Sequence, residues 1–223
     1  MFKKNFSLTL NSYINLLKTK KIYRKSDHFK YEFAIEKICN WTNSNFKNNY
    51  KWYQEQKKLC KAKITFKHLE NLNKWVYNKS QGTIHHETGG FFSVVGVSIK
   101  NATREVRNWD QPLIKQQNYI GGIIGLVRKK INGIPHYLVE AKFEPGNYNL
   151  IQLSPSVQAT YSNLNQVHKG LRNKIIKMYF KKKFITVRKN WVSEDGGRLF
   201  RKRNLHWIIE TQNKMIKLPK NYK

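Results

Sequence analysis

The chain reads as an α+β protein in which a helical N-terminal segment leads into a mixed or antiparallel sheet with helices. Three observations predict this. Apolar and aromatic residues recur at helical spacing through the first 80 residues. From Thr83 the pattern changes to short β-branched runs. Asn132-Gly133 separates two such runs, and Asn-Gly supplies the positive φ angles that a tight hairpin needs. We divide the chain into a helical region over 1–80 and a main module over 81–223.

In the first region Phe29, Phe33 and Ile38 lie near one helical face. Phe46, Tyr50 and Tyr53 follow at spacings of four and three, and Leu69, Leu72, Trp75 and Val76 repeat the pattern, predicting a third helical stretch. Aromatics at this spacing read as core rather than as a base-stacking surface. Next, Phe91 to Val97 is too short and too rich in valine for a good helix and predicts a strand. Ile120–Val127 and His136–Phe143 form the arms of the Asn-Gly hairpin. Further strands are expected over Asn149–Leu153, Phe184–Val187 and Leu205–Ile209. A helix over Gln166–Phe180 carries Val167, Leu171, Ile175 and Met178.

A formal charge of +30 raises the question of nucleic acid at once. Its distribution argues against that partner. The excess is +13 over residues 1–80, +3 over 81–165 and +14 over 166–223, and only 9 of the 43 basic residues are Arg. Bidentate recognition of phosphate or base edges favours Arg, so Lys181-Lys182-Lys183 and Arg201-Lys202-Arg203 read as solvated faces. Cys39 and Cys60 form neither a Cys-x-x-Cys pair nor a zinc motif with spaced histidines, and are expected to be buried thiols in a reducing compartment. No apolar run is long enough to cross a bilayer, and polar residues interrupt Phe2–Leu17 too often for a signal segment. The expected location is the cytoplasm.

The electrically quiet middle holds the residues that suggest chemistry. Glu144 ends a strand where Pro145-Gly146 forces a turn, a position that either presents a carboxylate to a cleft or merely ties the turn. Arg104 and Arg107 flank Glu105 and precede Trp109 and Gln111. That combination of cation, flat apolar face and amide suits a diphosphate joined to a planar base, although the segment can equally close on itself by salt bridges, Arg107 more readily than Arg104. His85 and His86 are adjacent, so on a strand they point to opposite faces and only one can serve a given site. An imidazole there is a candidate general acid or base. No metal site is expected from His85-His86-Glu87. Gly121-Gly122 and Gly125 match no phosphate-binding loop, and no hydrolase triad or nucleophile elbow is present.

Taken in order, TGGFFSVVGV (88–97), REVRNWDQP (104–112), AKFEPG (141–146), LSPSVQATYSN (153–163) and WVSEDGGRLF (191–200) with Arg203-Asn204 resemble the NDP-hexose 2,3-dehydratase family. The resemblance covers about residues 75–210. It implies a Nudix-superfamily-like core without that superfamily's hydrolase motif. It also implies a lyase that removes water from dTDP-4-keto-6-deoxy-D-glucose across C2 and C3, giving a 3,4-diketo-2,6-dideoxy sugar nucleotide with no cofactor.

The roles that follow are expectations. Glu144 or one of His85 and His86 acts as base or acid, and Tyr161 as proton donor or oxyanion stabiliser. Arg104, Lys142 and Arg198 hold the diphosphate, Trp109 stacks on thymine, and Gln111, Gln158, Thr160 and Asn163 address sugar or base. A 3-ketoreductase is expected to consume the product. The resemblance implies two tandem copies of the module, whereas REVRNWDQP and AKFEPG occur once here, so a homodimer is expected to restore the pair. The alternatives are a non-catalytic sugar-nucleotide-binding module and, behind it, a basic nucleic-acid binder.

Overall fold

The computed structural model describes residues 6–38, 46–116, 121–131, 133–164, 175–180, 184–212 and 218–223. Three helices open the chain: α1 (Phe6–Thr19), α2 (His28–Ile38) and α3 (Phe46–Leu59). The spacing of Phe29 and Phe33, and of Phe46, Tyr50 and Tyr53, thus marks true helices. Helix α1 packs on α2 through buried Leu10 and Ile35, with Tyr13 and Ile14 against them. Helix α3 instead reaches the sheet region: the Tyr53 hydroxyl donates to the Ile151 carbonyl at 2.9 Å, and Trp52 Nε1 donates to the Lys220 carbonyl at 3.0 Å.

The third expected helical stretch does not form. Leu69–Asn71 makes a single 3₁₀ turn, and Trp75–Asn78 is a strand, β1. Between them Lys74 takes φ 66°, which breaks any helix. Strand pairing then overrides the local spacing, because Trp75 and Val76 lie opposite His86 and His85. The α-helices of the first 80 residues therefore end at Leu59, and β1 pairs with a strand beyond residue 80.

The remaining strands are β2 (Thr83–His86), β3 (Phe92–Ile99), β4 (Trp109–Gln116), β5 (Ile123–Ile131), β6 (Ile134–Phe143), β7 (Ile151–Pro155), β8 (Val157–Ala159), β9 (Ile185–Ser193), β10 (Leu199–Phe200) and β11 (Arg203–Glu210). The expected Phe91–Val97 strand and the Asn-Gly hairpin are present as β3 and β5–β6, with Gly133 at φ 77° in the turn. They assemble two mixed sheets rather than one. The first has the order β1-β2-β3-β4-β10, with β10 parallel to β4. The second has the order β7-β6-β5-β11-β9, with β11 parallel to β5 and β8 paired to the start of β5. Two short helices, α4 (Tyr161–Leu164) and α5 (Ile176–Phe180), complete the described elements. Of the helix expected over Gln166–Phe180, only this final turn lies within the described residues, with Ile175 and Ile176 buried in the core. Val167 and Leu171 lie outside them, as does Cys39. Cys60 is partly exposed rather than buried, because it follows the solvent-facing end of α3.

The core belongs to the second sheet. Val127, Leu138, Val157, Ala159, Tyr179 and Ile209 pack there with the Tyr222 ring from the chain end. Residues 221–223 also bond along β6, with Val139 and Lys223 exchanging both backbone hydrogen bonds at 2.9 and 3.0 Å. Close approach fixes two glycines beside this core. A Cβ on Gly125 would stand 2.4 Å from the Tyr179 hydroxyl, and one on Gly122 would stand 2.2 Å from the Ala159 carbonyl oxygen. By contrast, no described residue of the first sheet is fully buried.

Candidate functional site

The polar residues of AKFEPG and LSPSVQATYSN meet on the second sheet. Lys142 sits on β6 opposite Gln152, and Glu144 lies just beyond the strand end. Glu144 is fixed by its backbone, since its N–H donates to the Leu150 carbonyl and its own carbonyl accepts from Asn147 N–H, both at 3.1 Å. Its carboxylate nonetheless projects outward, half-exposed, to an ion pair with Lys142 Nζ at 2.5 Å. The same ammonium donates to Gln158 Oε1 at 3.3 Å, and the Ser154 hydroxyl donates to that oxygen at 3.3 Å. One carboxylate, one ammonium, one amide and one hydroxyl therefore share a single partly exposed cluster. Ser154 escaped the sequence reading, although its place between Leu153 and Pro155 in the quoted block was the available signal.

Below Gln158 on the same stretch, Thr160 Oγ1 accepts from Asn163 N–H at 3.4 Å, the arrangement that starts α4. Tyr161 opens that helix. Half-buried Glu140, two residues before Lys142 on β6, has its carboxyl pushed up from the ordinary Glu range by desolvation, against hydrogen bonds from Tyr222 and Asn221.

A second group lies on the first sheet. Trp109 Nε1 donates to Gln111 Oε1 at 2.7 Å, so the ring is oriented by the amide two residues on. Gln111 also lines an open groove of about 580 Å³ with Gly96, Val97, Ser98, Asp110 and Pro112. His85 and His86 point to opposite faces of β2, as expected. His86 stacks edge-on to Trp75 and Phe91, with Nδ1 2.9 Å from the Thr88 hydroxyl, whereas His85 lies 3.5 Å from Thr83 Oγ1. His86 is thus packed in an aromatic cluster and His85 is the freer ring. Arg104 and Arg198 are exposed. Of the two arginines that could close the segment on itself, Arg104 rather than the more readily expected Arg107 pairs with neighbouring Glu105, at 3.7 Å. Both side chains of that pair are largely solvated, and such pairs hold weakly.

WVSEDGGRLF connects the two groups, leaving β9 on the second sheet, turning through Glu194–Gly197 and entering β10 on the first. All five quoted blocks thus fall on the strands and turns around these two clusters. A family model described as NDP-hexose 2,3-dehydratase matches residues 47–223. The chain belongs to the NDP-hexose 2,3-dehydratase family. Three relatives, each named dTDP-4-dehydro-6-deoxy-alpha-D-glucopyranose 2,3-dehydratase, agree with this. The protein from Saccharopolyspora spinosa is 36% identical over 152 residues, which is 68% of this chain and 31% of the relative. That from Streptomyces violaceoruber is 34% identical over 163 residues, 72% of this chain and 36% of the relative. That from Amycolatopsis orientalis is 35% identical over 150 residues, 63% and 31%. The chain therefore spans about a third of the length of these relatives. Helices α1 and α2 precede the family match.

Proposed function

We propose that the chain is a lyase that dehydrates dTDP-4-keto-6-deoxy-D-glucose across C2 and C3. Family membership over residues 47–223 carries this reading, and the Lys142–Glu144–Gln158 cluster supports it chemically. In the proposed reaction the C4 ketone acidifies the C3 proton. A carboxylate can abstract it, and donors at the C4 oxygen stabilise the enolate. The C2 hydroxyl leaves as water with a proton from an acid. The resulting enol takes a solvent proton at C2 and becomes the 3,4-diketo product.

Glu144 is the preferred base, because its carboxylate is half-exposed at the strand end and Lys142, a candidate for the diphosphate, stands beside it. When the diphosphate of the substrate draws Lys142 away, the carboxylate is freed to act. His85 is the preferred acid of the two histidines. Tyr161 remains assigned to proton donation or oxyanion binding. Arg104, Lys142 and Arg198 take the diphosphate, Trp109 takes thymine, and Gln111, Gln158, Thr160 and Asn163 take polar groups of sugar and base. The mixed sheets flanked by helices agree with a Nudix-like core. The diketo product calls for prompt reduction by a 3-ketoreductase, in the cytoplasm.

Two copies are proposed to pair through the first sheet. Its register lines up Tyr77, Ile84, Val94, Ile114 and Leu199 across five strands on one face. Tyr77 and Ile114 there are 50% and 38% exposed. Asp110 is the one formal charge on that face of the strands, and for a chain of +30 an uncharged apolar face is where a second equally basic copy meets least repulsion. The activity is tested by incubation with dTDP-4-keto-6-deoxy-D-glucose and a 3-ketoreductase that traps the product. Intact substrate after incubation would refute the reading.

A further inference from the structure

The chain passes between the two sheets three times: from β4 to β5, from β9 to β10, and from β10 to β11. All three passages converge on Asn204, the second residue of β11. Its side-chain oxygen accepts the Gly122 N–H at 3.0 Å, at the end of the first passage. Its amide nitrogen donates to Glu194 Oε2 at 2.8 Å, at the start of the second. Its own backbone ends the third. Asn204 is 4% exposed, so neither bond is exchanged for water without cost.

The surroundings reinforce the same junction. Lys202 Nζ stands 2.8 Å from Glu194 Oε2, and Glu194 N–H donates to the Lys202 carbonyl at 3.0 Å. Leu205 N–H donates to the Gly122 carbonyl at 2.9 Å. The backbones run so close that a Cβ on Gly121 would stand 1.6 Å from the Arg203 carbonyl oxygen. A bare backbone at 121–122 and a short, planar donor–acceptor side chain at 204 are what this crossing requires. Asp lacks the donor and Gln is one methylene longer.

We infer that Asn204 is a positioning residue that fixes the pose of one sheet against the other. It thereby aligns the His85, Trp109 and Gln111 half of the site with the Lys142, Glu144 and Gln158 half. The inference rests on the proposed reading in which both halves serve one substrate. Asn204 itself touches no reacting atom in this account. Its effect passes through Gly122 and Glu194, and through the turn that carries Arg198.

The test is a polarity exchange. N204D keeps the acceptor for Gly122 N–H but sets a carboxylate against Glu194. Adding E194Q returns an amide donor to that carboxylate and restores both bonds with the charge moved by one side chain. Since a displacement of about 1 Å at a reacting centre can cost on the order of 10²-fold, N204D should lower kcat/KM by that order. N204D/E194Q should recover most of it, at an unchanged thermal midpoint. Hydrogen exchange gives a reading independent of activity: N204A should speed exchange at the Gly122 amide and through 194–202 while the β5–β6 core stays protected. If N204A does not fold, Glu194→Ala removes the second bond from a partly exposed position and carries the same test. Wild-type kcat/KM in N204D, or a loss that the double variant does not recover, overturns the inference. If the wild-type chain turns over no substrate, the activity reading fails by itself. The exchange arm then decides alone, and unchanged protection in N204A and Glu194→Ala overturns the junction.

Discussion

Arg128 has no exposed surface, yet nothing in the local sequence separates it from Lys129 and Lys130 beside it. Its guanidinium pairs with Glu32 and Glu36 of α2 and with Glu210 of β11, and lies 5.6 Å from both the Phe29 and Phe33 rings. Lys130 adds a contact at 2.6 Å to Glu32. Burial and the neighbouring Glu36 push the Tyr137 hydroxyl up to about 12 against the opposing pull of Arg128, so it stays a neutral donor to Glu36. Removing the cation would leave two or three carboxylates buried without their partner. Arg128→Ala should therefore cost about 3–5 kcal/mol, read from denaturant unfolding. A loss near that of an exposed Lys substitution would contradict the network. At this scale the candidate chemistry was legible, because Glu144, Lys142 and Gln158 sit in ordered blocks of unusual residues. The reasons for Arg128, Asn204 and Gly121-Gly122 were not, since each answers to at least one partner 80 or more positions away.

Among the elements, periodicity identified α2, α3, β3 and the β5–β6 hairpin correctly, where local preference and tertiary pairing agree. It failed at Leu69–Val76, where helical spacing yielded to pairing with β2. It also gave no sign that the strands divide into two sheets, because parallel pairs such as β5 with β11 join segments far apart in the chain. The α1–α2 pair, which precedes the family match, is joined to the second sheet through Glu32 and Glu36, and this makes its docking sensitive to acid. Burial opposes the charge on Glu32, but hydrogen bonds and charge from Lys130 and Arg128 outweigh it and hold its carboxyl below the ordinary 4.5. A depressed carboxyl stabilises the fold above its unfolded value and loses that contribution as pH falls through the folded one. Glu36, raised by burial, runs the other way and softens the first part of the descent. Proteolysis and hydrogen exchange should find α1–α2 protected at neutrality and released only in acid below 4.5, before the β5–β6 core opens. Simultaneous loss of both would show that the pair is not a separate unit of stability.

For the whole molecule, the charge of +30 proved a poor guide and its distribution a better one. The most neutral third holds four of the five blocks that carry the family resemblance, and the first sheet keeps an almost uncharged apolar face. If that face joins two copies, sedimentation should give a dimer for the wild-type chain and a monomer for Ile114→Asp. Phe66→Asp, on a fully exposed ring away from the sheet, should remain dimeric. A wild-type monomer would contradict the pairing.

The central claim, elimination across C2 and C3, is tested most directly in deuterated water with the trapping reductase present. Elimination should give a trapped product lighter than the simply reduced substrate by one water, with a single solvent deuterium retained at C2. E144Q should form none while still binding dTDP. Recovery of a sugar nucleotide that keeps its C2 oxygen, or full turnover by E144Q, would contradict it, the first in the reaction and the second in the base.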